Sequence, residues 1–181
     1  MTARRLLATR RLAHLLLARA ARGRPPDRET AARLLDPRLA PTAEARQRVL
    51  EEALALARAA AAALGREERL AGELRTDLRI ALRDRKGKPF SVLAPSVVLR
   101  ADGTAAVLAM APEGDRGTEA RARRYRFAVG RLTGRRADAF LVRADGTIET
   151  APVSRSAPRG EAYPDSGCSP SGHPQSGRRP R

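Results

Sequence analysis

The first seventy or so residues carry leucines and alanines at helical spacing, interrupted by prolines. The leucines between positions 6 and 17 repeat with the period of an amphipathic helix, which must end before Pro25. Asp27 suits the N-cap of a short helix that runs to about Leu35, and Thr42 suits the N-cap of a long alanine-rich helix that ends near Gly65. The pattern predicts a helical part of the domain over residues 1–72.

From residue 73 the pattern changes to that of β-strands. Apolar and polar residues alternate from Leu78 to Leu82, and two further apolar runs flank Asp102-Gly103, a dipeptide typical of tight hairpins. A helix over residues 118–132 then precedes two more strands, and the pentapeptide Arg-Ala-Asp-Gly-Thr occurs after the second strand and again after the fourth. This order predicts an α/β domain, with the N-terminal helices packed on a central mixed β-sheet over residues 73–153.

The final segment, residues 154–181, is dominated by Pro, Gly and Ser, and it has no periodicity. Such a composition buries too little apolar surface to offset the entropy of ordering, so we expect a disordered tail. It holds Cys168, the single cysteine of the chain, and His173. A single cysteine excludes an internal disulfide and a cysteine-based metal cluster, and we interpret both tail residues as inert.

Charge is the strongest compositional signal. The chain has 181 residues, a net charge of +16 and only two lysines, so its basic residues are almost all arginine. This charge predicts an anionic partner, most simply DNA. No apolar run approaches the roughly 20 residues of a membrane span, so we expect a cytoplasmic protein. The arginine-rich N-terminus lacks acidic residues before Asp27, as address signals do, but we interpret it as an integral helix of the domain.

The common catalytic motifs are missing. The sequence contains neither a phosphate-binding P-loop nor a Gly-x-Gly-x-x-Gly motif. Ser91 and Ser96 lie beside predicted strands without the spacing of a nucleophile elbow. His14 is the one histidine outside the tail. A histidine-based zinc site is therefore excluded as well.

The layout from the first helix to the last strand resembles the RecB-family PD-(D/E)XK nuclease domain, found at the C-terminus of AddA- and UvrD-like recombination helicases. His14 lies in an early helix, as the histidine of that family does, with Arg10 in place of the family's glycine. Glu73 is the first residue of a predicted strand, and the corresponding strand of the family also begins with an acidic residue. The later helix carries Tyr125 at the tyrosine of the family's Gln-x-x-x-Tyr motif and Arg121 in place of the glutamine.

The resemblance also implies what has been lost. Counting from the hairpin turn, Ser96 falls at the family's first aspartate, Ala109 at its second acid and Ala111 at its lysine. In that superfamily the carboxylates hold a divalent metal that activates water, and the lysine stabilises developing charge. A serine and two alanines cannot do this. The resemblance therefore implies a catalytically degenerate copy, with His14 as the remnant of the site and no cofactor.

Three functions remain open at this stage. The first is a degenerate nuclease-like domain that binds single-stranded DNA or duplex ends, or docks a helicase–nuclease partner in recombination and repair. The second is a divergent magnesium-dependent exonuclease, and the third is a small basic nucleic-acid-binding protein unrelated to nucleases. The acids available to the exonuclease are Asp77, Asp84, Asp102 and Glu113.

Nucleic-acid contact is predicted for the helix around Tyr125. An arginine near an aromatic ring can contact a phosphate while the ring stacks on a base. The residues proposed for this role are Arg121, Arg124, Tyr125, Arg135 and Arg136. The acidic residues of the preceding glycine-rich loop, Glu113, Asp115 and Glu119, are expected to be surface charge.

Overall fold

Each of the three N-terminal helices begins at a side chain that caps it. In the computed structural model, which describes residues 2–84 and 86–152, the side chains of Thr2, Asp27 and Thr42 accept hydrogen bonds from backbone N–H groups in the first turn. The caps predicted at Asp27 and Thr42 are confirmed. The helices are α1 (Ala3–Ala20), α2 (Arg28–Leu34) and α3 (Ala43–Arg66), and a 3-10 turn (Glu68–Leu70) follows them.

Helix α3 runs past its predicted end. Gly65 lies inside the helix, and the Glu67 N–H closes the last turn on the Ala63 carbonyl at 2.8 Å. A helical glycine costs only about 1 kcal/mol relative to alanine. The preceding alanine run is strongly helix-forming, so the helix tolerates it.

The second half forms a five-stranded mixed sheet, which confirms the predicted α/β class. The strands are β1 (Glu73–Arg83), β2 (Pro89–Leu99), β3 (Ala105–Ala111), β4 (Ala137–Arg143) and β5 (Ile148–Thr150), and they lie in the order β1-β2-β3-β4-β5. Only β3 and β4 are parallel, and helix α4 (Thr118–Thr133) makes the crossover between them. Gly134 ends this helix in a left-handed conformation, as predicted.

The repeated pentapeptide builds the same turn twice. After β2, the Arg100 N–H donates to the Thr104 carbonyl at 3.0 Å, and the Thr104 N–H donates to an Asp102 carboxylate oxygen at 2.8 Å. The same two hydrogen bonds join Arg143, Asp145 and Thr147 after β4. Both glycines of these turns have positive φ, where a side chain would be strained.

Helices cover both faces of the sheet. Helices α1, α2 and α3 share one apolar cluster with the even-numbered residues of β3 from Ala106 to Met110. Helix α4 shares a second cluster with the odd-numbered residues from Ala105 to Ala109. Successive side chains of β3 point to opposite faces, and helices cover both faces, so β3 is buried over its whole length. The sheet therefore has an α1–α3 face and an α4 face.

The hairpin of β1 and β2 extends beyond the rest of the sheet. The two strands pair over their full length, whereas β2 pairs with β3 only from Val97 to Leu99. Leu74 packs in the α1–α3 cluster, but Leu78 packs in the α4 cluster although both positions are even. The change of face falls at Asp77, whose φ of 54° breaks the alternation. The outer part of the hairpin therefore packs toward α4.

Candidate functional site

His14 and Ser96 meet across the α1–α3 face. Ser96 is completely buried on β2, and its hydroxyl lies 2.7 Å from the His14 Nδ1 atom on α1. Val98, two residues along the same strand, packs in the cluster that α1 shares. The family resemblance assigned both residues to one site, and the fold does place them in contact.

This pair is not an activated nucleophile. Burial, together with the positive charge of Arg10, lowers the pKa of His14 to about 3. The imidazole is neutral near pH 7, and such a weakly basic ring is a poor acceptor for a serine proton. Among the described residues, neither His14 nor Ser96 has a hydrogen bond to a carboxylate. The arrangement is a partly buried polar contact that fixes α1 against β2.

Ala109 and Ala111 do not join this pair. The register pairs Val97 with Val107, so continuing the antiparallel ladder sets Ser96 opposite Leu108. Ala109 packs with α4 on the other face, and alternation along the strand places Ala111 on that side too. The expected cluster of Ser96 with the two alanines is therefore not formed.

The residues of β3 on the His14 side of the sheet are apolar. Leu108 and Met110, two positions apart, both belong to the cluster shared with α1 and are almost fully buried. The count from the hairpin turn assigned the family's second acid and lysine to Ala109 and Ala111, each one residue after Leu108 and Met110. With either count, no carboxylate or lysine of β3 faces His14.

Metal ligands are not gathered elsewhere in the described part of the chain. Within residues 2–84 and 86–152, no group of three or more His, Cys, Asp or Glu side chains is placed to hold a metal ion. Asp84 and Asp102 accept hydrogen bonds from the backbone of their own turns instead. Asp77 lies at the twist of β1 and Glu113 in the loop after β3. The four acids considered for a divergent exonuclease are therefore spread over separate segments.

Asp115 is the centre of an ion-pair cluster at the end of the sheet. It lies in the loop between β3 and α4, and its side chain is only 4% exposed. Arg10 of α1 and Arg121 of α4 both donate to one of its carboxylate oxygens, and the Gly117 N–H donates to the other at 3.1 Å. These contacts join helices from the two faces of the sheet at the C-terminal end of the central strand β3.

The charge state of Asp115 follows from these contacts. Burial raises its pKa, but the hydrogen bond from Arg10, the Gly117 N–H and the charges of Arg10 and Arg121 outweigh burial, and the pKa lies below its usual value. The expectation that this loop carries only surface charge is wrong for Asp115. Glycine-rich context pointed to solvent, and nothing in the local sequence showed that Arg10, 105 positions away on α1, would join Arg121 in closing over the carboxylate.

Glu52 is a second acid that sequence reasoning missed. Its side chain on α3 is 11% exposed and accepts a hydrogen bond from the Glu113 N–H at 2.6 Å. The Thr9 hydroxyl donates to it at 3.4 Å, and the Arg5 guanidinium lies 3.8 Å away. Glu52 thus fixes the loop after β3 to α3 and α1, as Asp115 fixes it to α1 and α4.

The predicted nucleic-acid residues are divided between different surroundings. Arg121 holds Asp115, and Arg135 donates to the carbonyl of Asp102 in the β2–β3 turn. Arg136 and Arg124 are exposed. Tyr125 packs against the α4 cluster, on the opposite face from His14. The shared cleft expected for His14 and Tyr125 is therefore not formed, and two of the four arginines, Arg121 and Arg135, already donate to acceptors within the protein.

Tyr125 instead borders an open cavity of about 570 Å³ between α4 and the outer part of the β1–β2 hairpin. The lining residues are Leu82, Phe90, Ser91, Val92, Leu93, Arg124, Tyr125 and Phe127. Its volume lies in the range of about 300–1,000 Å³ that is usual for ligand clefts. It combines aromatic rings with a guanidinium group, and none of the described residues that line it is acidic.

Comparison of the chain with protein-family models, curated proteins and solved structures finds no match. Across the residues described above, none of the helices combines the length and apolar character that crossing a bilayer requires. What is established is an α/β domain with helices on both faces of a mixed sheet.

Proposed function

We propose that this protein is a nuclease-like domain that binds nucleic acid without cleaving it. In this role it holds DNA, or docks a helicase–nuclease partner in recombination and repair. The compartment expected for such a protein is the cytoplasm. The RecB-family resemblance and the catalytic degeneration are both part of the proposal.

The contact between His14 and Ser96 carries this proposal. The resemblance assigned these two residues, 82 positions apart, to one site, and their side chains lie 2.7 Å from each other. Leu108 and Met110 complete that side of β3 with apolar groups. A divalent cation such as magnesium needs several oxygen ligands, chiefly carboxylates, and a neutral imidazole beside one buried hydroxyl supplies no carboxylate. The geometry therefore supports a site that retains the contact between His14 and Ser96 and has no carboxylate or lysine beside it on β3.

The charge supports a nucleic-acid partner. A net charge of +16 attracts a polyanion, and the electrostatic part of such binding does not depend on the nucleic-acid sequence. The exposed edge strand β1 adds Arg75, Arg79 and Arg83, which all lie at exposed positions. Charged edges also discourage strand pairing with other chains, so the local pattern serves solubility as well as binding.

Two assays test the proposal with purified full-length protein. The first incubates linear single- and double-stranded DNA with the protein and magnesium or manganese, and we expect no degradation. The second measures binding of labelled DNA by fluorescence anisotropy between about 50 and 200 mM salt, and we expect affinity to fall steeply across that range. Metal-dependent cleavage that disappears in His14→Ala would overturn the degenerate-site part. A failure to bind either form of DNA at low salt would overturn the binding part.

A further inference from the structure

Aromatic side chains are concentrated in one place on this protein. The chain contains three Phe, two Tyr and no Trp. Three of these five residues, Phe90, Tyr125 and Phe127, line the cavity between α4 and the β1–β2 hairpin. In a chain with 3% aromatic residues, this grouping calls for a physical explanation.

Two of the three rings are held open to solvent. Phe90 is 43% exposed near the start of β2, and Phe127 is 50% exposed on α4. Tyr125 is less exposed than these two and packs against the α4 cluster. Burying an aromatic ring is strongly favourable, so neighbouring half-exposed rings form a surface that a partner can cover.

The surroundings of the cavity are basic. Arg124 is part of the lining, and Arg131 follows Phe127 by one helical turn on the exposed side of α4. On the hairpin, two basic residues, Arg83 and Lys88, and one acidic residue, Asp84, lie at exposed positions within two residues of the strand pair formed by Leu82 and Phe90. With no acidic residue in the lining formed by residues 2–84 and 86–152, the cavity is complementary to an anionic ligand that also has flat apolar faces.

We propose that the cavity lined by Phe90, Tyr125 and Phe127 binds single-stranded nucleic acid, stacking an unpaired base on the rings while Arg124 contacts the adjacent phosphate. This inference rests on the proposed function and names the surface and the form of nucleic acid. A duplex keeps its bases stacked on one another and offers only phosphates. A single strand presents free base faces, which aromatic rings bind without sequence preference.

The test compares single-stranded and duplex binding in matched variants of the full-length protein. Fluorescence anisotropy is measured for a labelled oligothymidine of about 16 nucleotides and for a duplex of the same length. Phe127→Ala and Phe90→Ala remove exposed rings, and Phe127→Trp restores a ring at the same position. Leu132→Ala is the control, because Leu132 is 53% exposed on the same helix but does not line the cavity.

We expect Phe127→Ala and Phe90→Ala each to weaken oligothymidine binding by about 5- to 100-fold, with the salt slope unchanged. Phe127→Trp should retain the parent affinity, and Leu132→Ala should bind as the parent does. Duplex affinity should be the same in all of these variants. Arg124→Ala should instead flatten the salt slope for the oligothymidine by about 0.7, the value of one phosphate contact on a single strand.

Several results would overturn the inference. One is parent-like oligothymidine binding by both alanine variants. A second is a loss of duplex affinity in the alanine variants as large as their loss of oligothymidine affinity. A third is a loss of oligothymidine affinity in Leu132→Ala as large as that in Phe127→Ala. Conversion of a parent dimer to a monomer by Phe127→Ala in sedimentation would identify a second copy of the chain as the occupant. Competition by polyglutamate that depends on Phe127 would identify an acidic peptide. If both DNA forms bind but the rings do not matter, the proposed function stands and this inference fails; if neither binds, the proposed function fails.

Discussion

Removing the carboxylate of Asp115 should destabilise the domain more than the loss of any ordinary surface ion pair. The side chain is 4% exposed, while its partners Arg10 and Arg121 are 20% and 27% exposed. Asp115→Ala leaves two partly buried guanidinium groups and the Gly117 N–H without their shared acceptor. Hydrogen bonds that involve a charged group contribute about 1.5–3 kcal/mol, and breaking a fully buried pair costs about 3–5 kcal/mol.

Partial access of water to both arginines reduces that cost. We therefore expect Asp115→Ala to lower the free energy of unfolding by about 2–4 kcal/mol, and Asp115→Asn, which keeps an acceptor oxygen, to lower it by roughly half as much. For a domain of this size the alanine variant should melt about 5–15 °C lower. The control is Glu149→Gln, whose ion pair with Arg143 is about half exposed and should contribute less than about 1 kcal/mol.

The effect should also depend on pH in a defined direction. The pKa of Asp115 is depressed in the folded state. The ionised carboxylate therefore stabilises the fold fully above the unfolded-state pKa of about 3.9. This stabilisation is lost as the pH falls through the folded-state pKa. Urea unfolding followed by circular dichroism, at pH 7 and at steps below pH 4, should show the gap between parent and Asp115→Asn shrinking in acid. Equal stability of the two proteins at pH 7, or an equal loss in Glu149→Gln, would refute this reasoning.

Two further predictions concern stability in other parts of the domain. Because the pKa of His14 is about 3 in the folded protein and about 6.5 when unfolded, stability should fall by up to about 1.4 kcal/mol per pH unit as the pH drops from about 6 to 4. In His14→Gln this slope should be reduced, and an unchanged slope in urea titrations would contradict the assignment. Gly72→Ala should cost about 1–3 kcal/mol, because the added Cβ would lie 2.3 Å from the Leu99 carbonyl oxygen. Gly65 is a helical position where an added Cβ would have no atom within 4 Å, so Gly65→Ala should stabilise the fold by about 0.5–1 kcal/mol. Similar melting temperatures for the two glycine variants would show that the backbone at Gly72 and Leu99 can move apart.

The element order of this protein was predictable because its signals are local. The caps at Asp27 and Thr42 act within one helical turn, and the Asp-Gly turns at Asp102 and Asp145 close through bonds within five residues. The spacing of apolar residues distinguished helices from strands without any knowledge of the elements against which they pack. The α/β class followed from that order alone. The contact between His14 and Ser96, in turn, was anticipated only through the family resemblance.

The tertiary structure decided everything that depends on register and on which face is covered. Side chains on a strand alternate, so a difference of one residue in the count along β3 moves Ala109 to the α4 face and brings Leu108 opposite Ser96. The positive φ at Asp77 likewise marks the point where β1 changes face, and the outer hairpin beyond it borders the aromatic cavity with α4. The burial of Asp115 depends on arginines 105 and six positions away in sequence, Arg10 and Arg121. The contact with Arg10 arises from the packing of whole elements, and no local pattern encodes it.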